Sequence, residues 1–404
     1  MIEKNQSPNR WLMLTVLFLA RVTMGFQYQA VAALSPLFAD SFAIGLTDLG
    51  ILVGLYMSPG VVVALPGAAI GKLFGDKRVV SFGMILMIFG GLIMAFGWNY
   101  PLQLTGRVVA GAGGVILNVL MAKMVTDYFS GREISLSMGI FANSWPVGIG
   151  AALLILPLVG NTAGLIWAML TVVILIFIGL LLFYSMYVEV NVDQVAAKST
   201  DKFKISGTAL LALLCAGIIW AFYNAGLAMI FAFAPIFLLE KGWSLLSANS
   251  TTSIVLWLAV ISIPIGGYLA DRTGKKDFII LGSLITFSIL LSLSAHTDFV
   301  ISIYILIGLF AGLAAGPIMG LPSEVLTPEN RGIGIGIFLS LFYVGVVLAP
   351  ILAGALLETT EKLNIDTPMF SSMVKTYMEA IEMGFGKESK SAMLKVYEEK
   401  LEHS

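Results

Sequence analysis

Charge is what this sequence lacks. Of 404 residues, Asp, Glu, Lys and Arg make up only 12%, against 58% hydrophobic residues. A soluble domain is roughly a quarter charged and about half apolar. So little charge cannot cover a water-facing surface. A soluble globular enzyme, a disordered chain and a nucleic-acid binder are thereby excluded, and lipid is the solvent for most of the chain. The net charge of −1 gives no basic footprint for nucleic acid. The single cysteine, Cys215, lies in an apolar run, so there is neither a disulfide framework nor a cysteine metal cluster. Two histidines, His296 and His403, leave no histidine-rich metal site. Neither a metal nor a cofactor is expected.

What the chain has instead is long apolar runs. Stretches able to cross a bilayer fall at roughly 11–39, 47–71, 79–97, 101–126, 134–158, 163–187, 205–239, 248–270, 277–295, 299–322 and 333–357. That gives eleven candidate spans. Lys4 and Arg10 before the first run imitate a signal peptide, but the run continues past any plausible cleavage site and has a counterpart in the second half. Basic residues alternate from loop to loop. Lys4 and Arg10 precede the first span; Lys72, Lys77 and Arg78 follow the second; Arg132 follows the fourth. Lys198, Lys202 and Lys204 follow the sixth, Arg272, Lys275 and Lys276 the eighth, and Arg331 the tenth. The opposite loops carry almost none, Lys241 excepted. The positive-inside rule therefore places the N-terminus and the 188–204 linker in the cytoplasm.

The polar linker separates two halves that resemble each other at an offset near 200 residues. Leu34-Ser-Pro36-Leu-Phe38 matches Phe233-Ala-Pro235-Ile-Phe237, and Gly67 matches Gly267. Met138-Gly-Ile-Phe141 matches Ile335-Gly-Ile-Phe338, and Asp127 followed by Arg132 is echoed by Glu324 followed by Arg331. Internal repeats of this kind place a substrate site near the midplane between the halves. The expected organisation is a six-helix bundle over 1–187, a linker over 188–204, a second bundle of five spans over 205–357, and a polar tail over 358–404.

Several segments resemble motifs of the major facilitator superfamily. Gly267-Tyr-Leu-Ala-Asp271-Arg272-Thr-Gly274-Lys275-Lys276 looks like its motif A. The N-terminal counterpart, Gly67 to Arg78, is degenerate, with Gly71 where the acid would stand. Gly106-Arg107-Val-Val-Ala-Gly111-Ala-Gly113-Gly114 resembles motif B, and Asn143-Ser-Trp-Pro146-Val-Gly148-Ile-Gly150 a partial motif C. Pro322-Ser-Glu324 through Pro328 to Arg331-Gly332 resembles the end of the tenth helix. The resemblance covers about residues 10–357. Within the superfamily, the turn after the second span and the Asn-Ser-Trp-Pro segment look most like cyanate permeases and nitrate/nitrite porters. The resemblance implies an all-α membrane protein of two pseudo-symmetric helical bundles, here with eleven spans and the twelfth missing or replaced. It also implies that Asp271 faces the N-terminus of a neighbouring helix, where the helix dipole favours an anion. Arg272 would pair with an acid such as Glu324. In the first half Asp76 or Asp127, with Lys72 and Arg132, would substitute. These residues, with Arg331, are the expected gate that sets the balance between inward and outward states. Anchoring loops at the membrane edge would explain the same charges more simply.

Two charges lie deep in spans. Arg21 is about ten residues into the first, ~15 Å from its start. Arg107 lies roughly two turns into the fourth. Charge at this depth is expensive and normally faces a cavity or a partner. Helical spacing puts Tyr28 on the face of Arg21, and Asn118 on that of Arg107. Asn143 and Trp145, Trp220 and Asn224, and Tyr343 are candidates to complete a cavity wall. Each of these also reads as an ordinary helix contact, since polar residues join helices and aromatics fill cores. No Asp or Glu lies at the centre of a span: Asp40, Asp127 and Glu324 are near ends. Arginines without an internal counter-ion favour an anionic substrate.

The glycines Gly111, Gly114, Gly308, Gly312, Gly334 and Gly336 are expected at close helix contacts. Beyond Leu357 no twelfth run follows. Phe370, Met373, Val374, Tyr377, Ile381 and Phe385 recur at helical spacing, which suggests an amphipathic helix, unless the reading frame is altered there. No G-x-x-x-x-G-K-[ST] loop is present, so no built-in ATPase is expected. No nucleophile–base set points to an enzyme. The expectation is a monomeric secondary transporter of a small anion, in a bacterial inner membrane, working by alternating access. Drug or metabolite efflux and substrate sensing without transport are the alternatives.

Overall fold

In the computed structural model, which describes residues 9–44, 46–189, 205–243, 245–294, 296–297 and 299–345, the apolar runs become helices, and no strand occurs among the described residues. The helices are α1 (Arg10–Ala33), α2 (Ser35–Phe42), α3 (Leu46–Leu55), α4 (Gly60–Phe74), α5 (Asp76–Phe96), α6 (Tyr100–Phe129), α7 (Ile134–Ala163) and α8 (Leu165–Met186). After the linker come α9 (Gly207–Glu240), α10 (Leu245–Thr273), α11 (Lys276–Ser294), α12 (Val300–Gly320), α13 (Pro322–Val325) and α14 (Arg331–Gly345). Nine helical stretches among the described residues are long and apolar enough to cross a membrane.

Proline decides where the first two spans break. The first divides into α1 and α2 at Leu34, because Pro36 has no N–H to continue the helical ladder. The second divides at Tyr56–Pro59 into α3 and α4. There the Met57 and Ser58 N–H groups turn back to Gly54 and Leu55, and the Ser58 hydroxyl also donates to the Leu55 carbonyl at 2.8 Å. Of the eleventh expected span, α14 is described; the remainder and the amphipathic tail lie outside the described residues.

The surface of α8 shows which solvent the fold meets. Ile174, Phe177, Ile178 and Leu181 are exposed on one side, while Val172, Ile176, Gly179 and Phe183 are buried on the other. A continuous apolar face of this size suits acyl chains, not water. Inside, α6 is the most enclosed helix: Gly106 and Gly113 lie against the backbone of Gly90 and Gly83 in α5. Small residues allow this approach where no hydrophobic force drives helices together.

Helices α1, α5, α6 and α8 pack around α7 and one another, and α10, α11 and α12 form a second group. Helix α7 crosses between them, lying on α10 and α12. Gly139, Gly267 and Gly316 meet there: a Cβ on Gly316 would be 2.6 Å from the Ser135 carbonyl and 3.2 Å from the Gly139 Cα. A second seam joins α14 to α4 and α6, where the Tyr343 ring lies on Gly60. Both seams run from the end of the bundle at which α1 begins and α8 leads into the linker. That end is called the linker face below.

Candidate functional site

Arg21 and Arg107, both deep in their spans, have different surroundings. Arg107 is fully buried. Its Nε donates to the Leu52 carbonyl at 2.8 Å, Nη1 to that of Gln27 at 2.9 Å, and Nη2 to that of Tyr28. The rings of Tyr28 and Tyr56 flank it, at 5.9 and 4.7 Å from Cζ to centroid. Its whole fork is therefore taken up by backbone of α1 and α3, and it presents no surface to a ligand in this conformation. Tyr28 belongs to this group, with its ring 4.9 Å from that of Trp145.

Arg21 is bound on two sides. Its Nε donates to Asn118 Oδ1 at 2.9 Å. Its Nη1 donates to the Phe141 carbonyl at 2.7 Å and the Ser144 hydroxyl at 3.0 Å, with Cζ 4.4 Å from the Phe141 ring centroid. Among the described residues no carboxylate pairs with Arg21, and no hydrogen bond reaches its Nη2. Asn118 Nδ2 in turn donates to the Tyr343 hydroxyl at 2.9 Å, which crosses from α6 to α14. Asn143, on the same turn of α7, donates to the Val260 carbonyl of α10, while its buried Oδ1 has no hydrogen-bond partner among the described residues. Asn224 bonds back to its own helix at the Trp220 carbonyl, 2.8 Å. The structure thus joins Arg21 to Asn118, turns Asn143 of α7 to α10, groups Tyr28 with Arg107, and leaves Asn224 on α9.

At the linker face, Asp271 of α10 reaches across to α7. Its carboxylate accepts the N–H of Ser135 at 3.2 Å and of Leu136 at 2.8 Å, at the start of the helix. These are orphan donors at the positive end of the helix dipole. The N-cap residue Glu133 does not supply them; it has a left-handed φ of 59° and its side chain is paired with Arg10. Asp127 at the end of α6 accepts from Arg331 at 2.8 Å, at the start of α14. Each half therefore offers one acid to the first turn of a helix in the other.

The remaining pairings differ from the expected ones. Glu324 takes Lys276, at 2.6 Å, and not Arg272, whose guanidinium lies over Tyr268 and donates to its hydroxyl at 2.7 Å. Arg272 follows Tyr268 by one helical turn and is exposed, so the local contact is the one formed. Arg132 is not the partner of Asp76 or Asp127. Its side chain is 77% exposed and, among the described residues, its one ion-pair contact is with Glu133, at 4.0 Å. Lys123 pairs with both acids instead, at 3.2 Å from Asp127. The side chain of Lys72 lies outside the described residues. A cavity of about 690 Å³ at this face is lined by Arg132, Glu133, Tyr268, Asp271, Arg272 and Glu324 among others.

Lys123 was missed as a site residue, whereas Tyr343, a candidate for the cavity wall, reaches the site through Asn118. Lys123 stands four residues before Asp127, an i,i+4 ion-pair spacing legible in the sequence.

The chain as a whole is similar to known proteins. A family model for the Major Facilitator Superfamily matches residues 17–254 and 223–361. The lysosomal dipeptide transporter MFSD1 of Bos taurus is 24% identical over 366 residues, covering 83% of this chain and 76% of that protein. Its human namesake is 23% identical over 389 residues, covering 88% and 82%. The proton:xylose symporter XylE, solved with 6-bromo-6-deoxy-D-glucose, shares the fold with a TM-score of 0.70 at 14% identity, covering 96% of this chain and 95% of that one. The family model spans well over half of a chain whose helices and repeated motifs have the same organisation: this protein belongs to the major facilitator superfamily and is a multi-pass membrane transporter, not an enzyme.

Proposed function

We propose that this transporter moves a small solute that carries a carboxylate, that a dipeptide is the class it accepts, and that Arg21 binds the carboxylate. The observation that carries this is the Arg21 guanidinium, deep in α1, with no acidic partner among the described residues and one nitrogen without a hydrogen bond. A buried cation is stable when a counter-charge completes it. A carboxylate fits the planar fork of arginine through two parallel hydrogen bonds. The buried Oδ1 of Asn143, without a hydrogen-bond partner among the described residues and on the same turn of α7 that Arg21 touches, is an acceptor for a peptide N–H. The likeness to transporters named for dipeptides extends over 83% of the chain. The likeness to cyanate and nitrate porters rests on one turn and one helix segment.

Transport then proceeds by alternating access of two halves joined through 188–204, with the linker face cytoplasmic and the protein acting as a monomer. In the described conformation the linker face is shut by Asp271, by Asp127 with Arg331, and by the glycine contact.

Counterflow of radiolabelled alanyl-alanine in proteoliposomes tests this, with the C-terminal amide of the same dipeptide as competitor. Wild type exchanges the acid, and the amide competes poorly. Arg21→Ala lowers exchange about tenfold or more, the equivalent of one charge-assisted hydrogen bond. Undiminished exchange of alanyl-alanine and of simple carboxylates by Arg21→Ala, or equal competition by the amide, overturns the proposal.

A further inference from the structure

We propose that Tyr343 is a positioning residue that couples the Arg21 site to the seam between the halves: a carboxylate that binds Arg21 takes Nε from Asn118 and so loosens the Asn118–Tyr343 bond. The inference rests on the Arg21 reading above.

The geometry points to it in three steps. First, both seams end at Arg21. The α4–α14 seam begins at the linker face with Asp127–Arg331 and has Tyr343 against Gly60 and Asn118 as its inner contact. Tyr343 is twelve residues past Arg331, ~18 Å along the helix, and Gly60 is ~21 Å from the end of α4. The α7–α10 seam begins with Asp271 and reaches Asn143–Val260, on the turn of α7 whose Phe141 and Ser144 hold Arg21 Nη1.

Second, Asn118 uses both ends of one amide. Its Oδ1 accepts from Arg21 Nε and its Nδ2 donates to Tyr343, each at 2.9 Å. The amide is planar, so the bond at one end fixes the direction of the other. All three residues are nearly buried, at 8%, 5% and 1% exposure for Arg21, Asn118 and Tyr343, so water does not readily replace a lost partner.

Third, the fork leaves one bidentate approach. Nη1 is committed to α7, while Nη2 has no hydrogen bond among the described residues. A carboxylate that engages two nitrogens in parallel does so on the Nε–Nη2 edge. It thereby competes with Asn118 for Nε. A substrate that binds more tightly once Asn118 has let go favours the state in which α14 is released, and differential binding of that kind is the only way a ligand shifts a conformational equilibrium.

Tyr343→Phe tests the coupling, because it removes the hydroxyl and keeps the ring on Gly60. Spin labels at Arg78→Cys and Lys275→Cys, both exposed at the linker face, report opening in a Cys215→Ser background. In otherwise unchanged protein, alanyl-alanine should lengthen the distance. In Tyr343→Phe the open fraction without ligand should rise about three- to tenfold, the ratio set by one hydrogen bond, and alanyl-alanine should add little. Asn118→Leu, which keeps the volume, should behave alike. A ligand response equal to wild type in both variants overturns the coupling, while loss of binding in Arg21→Ala in the same experiment leaves the Arg21 reading intact. Full binding and response by Arg21→Ala overturns that reading, and the coupling with it.

Discussion

Arg21 and Arg107 read alike in the sequence, and the fold assigns them different work. Depth follows from position in a span, which the sequence shows. The target of a guanidinium depends on which backbone passes it, which the sequence does not show. Arg107 joins α1, α3 and α6 through three carbonyls, and its removal leaves a hole and three acceptors short of a partner. Arg107→Ala is therefore expected to destabilise the protein by about 3–5 kcal/mol, in the range for breaking a buried charged network. Arg107→Lys recovers little, since one ammonium cannot span the three acceptors. Thermal unfolding in detergent checks both: each should melt well below Arg21→Ala. Gly71 is a second residue whose meaning came from its neighbours. Its departure from motif A was legible, with Asp76 as one of two expected substitutes; the cation that pairs with Asp76, Lys123, was not. A Cβ at 71 would lie 2.7 Å from Asp76 Oδ1 and 2.5 Å from a Leu120 methyl, so the Asp76 carboxylate fills part of the space beside a missing side chain. Gly71→Asp should lower stability by crowding two carboxylates together, and Gly71→Asp with Asp76→Ala should recover part of the loss in the same melting assay.

At the scale of elements, hydropathy located the spans because a bilayer demands length and apolarity and little else. It did not locate the breaks. Pro36 and Pro59 sit inside apolar windows, and many membrane helices carry proline without breaking, as α7, α10 and α12 do here at Pro146, Pro264 and Pro317. What distinguishes Pro59 is tertiary: the turn it permits lays Tyr56 backbone on Gly111 and exposes the Leu52 carbonyl to Arg107. Helix ends were equally hidden where the cap comes from afar. The first turn of α5 is capped by Glu189 from the start of the linker, whose Oε1 accepts from the Asp76 N–H at 2.8 Å and the Lys77 N–H at 3.4 Å. The same segment is held by Lys77 on the Tyr187 carbonyl, at 2.6 Å, and by the Tyr128 hydroxyl on Val188. Glu189→Ala is expected to remove roughly 1 kcal/mol, the usual worth of an N-cap. The effect should appear as earlier proteolysis at the start of the linker, with transport at saturating substrate little changed.

For the whole molecule the question is what makes two bundles into a device with alternative states. The repeat and motif A were legible and pointed to the end at which each half meets the other with an acid. Motif A also implied that Asp271 meets a helix N-terminus, as it does on α7; the pairing of Asp127 with Arg331 was not legible, because the first half supplies its acid from a different element, α6 to α14. Such clasps are modest energetically, and so they can open. The contact beneath them is steric. Gly139, Gly267 and Gly316 bring three helices to backbone contact, and the Cβ position of Gly267 is occupied by the Ser135 carbonyl and Leu136 Cα. A side chain there cannot be accommodated by rotating, because the obstacle is main chain. Gly316→Trp should hold the linker face open even with Asp271, Asp127 and Arg331 intact, since an ion pair worth about 1–3 kcal/mol cannot compress an indole into a glycine contact. Asp271→Asn should do less, shifting the population while leaving closure possible, because the amide oxygen still accepts an N–H but without the charge that favours the helix dipole. Spin-label distances across the linker face distinguish the two. Gly316→Trp should give a single long distance with or without alanyl-alanine, and no counterflow; Asp271→Asn should give both distances and slowed counterflow. A short distance in Gly316→Trp would mean that closure does not depend on the glycine contact, and the charged clasps would then have to carry it alone.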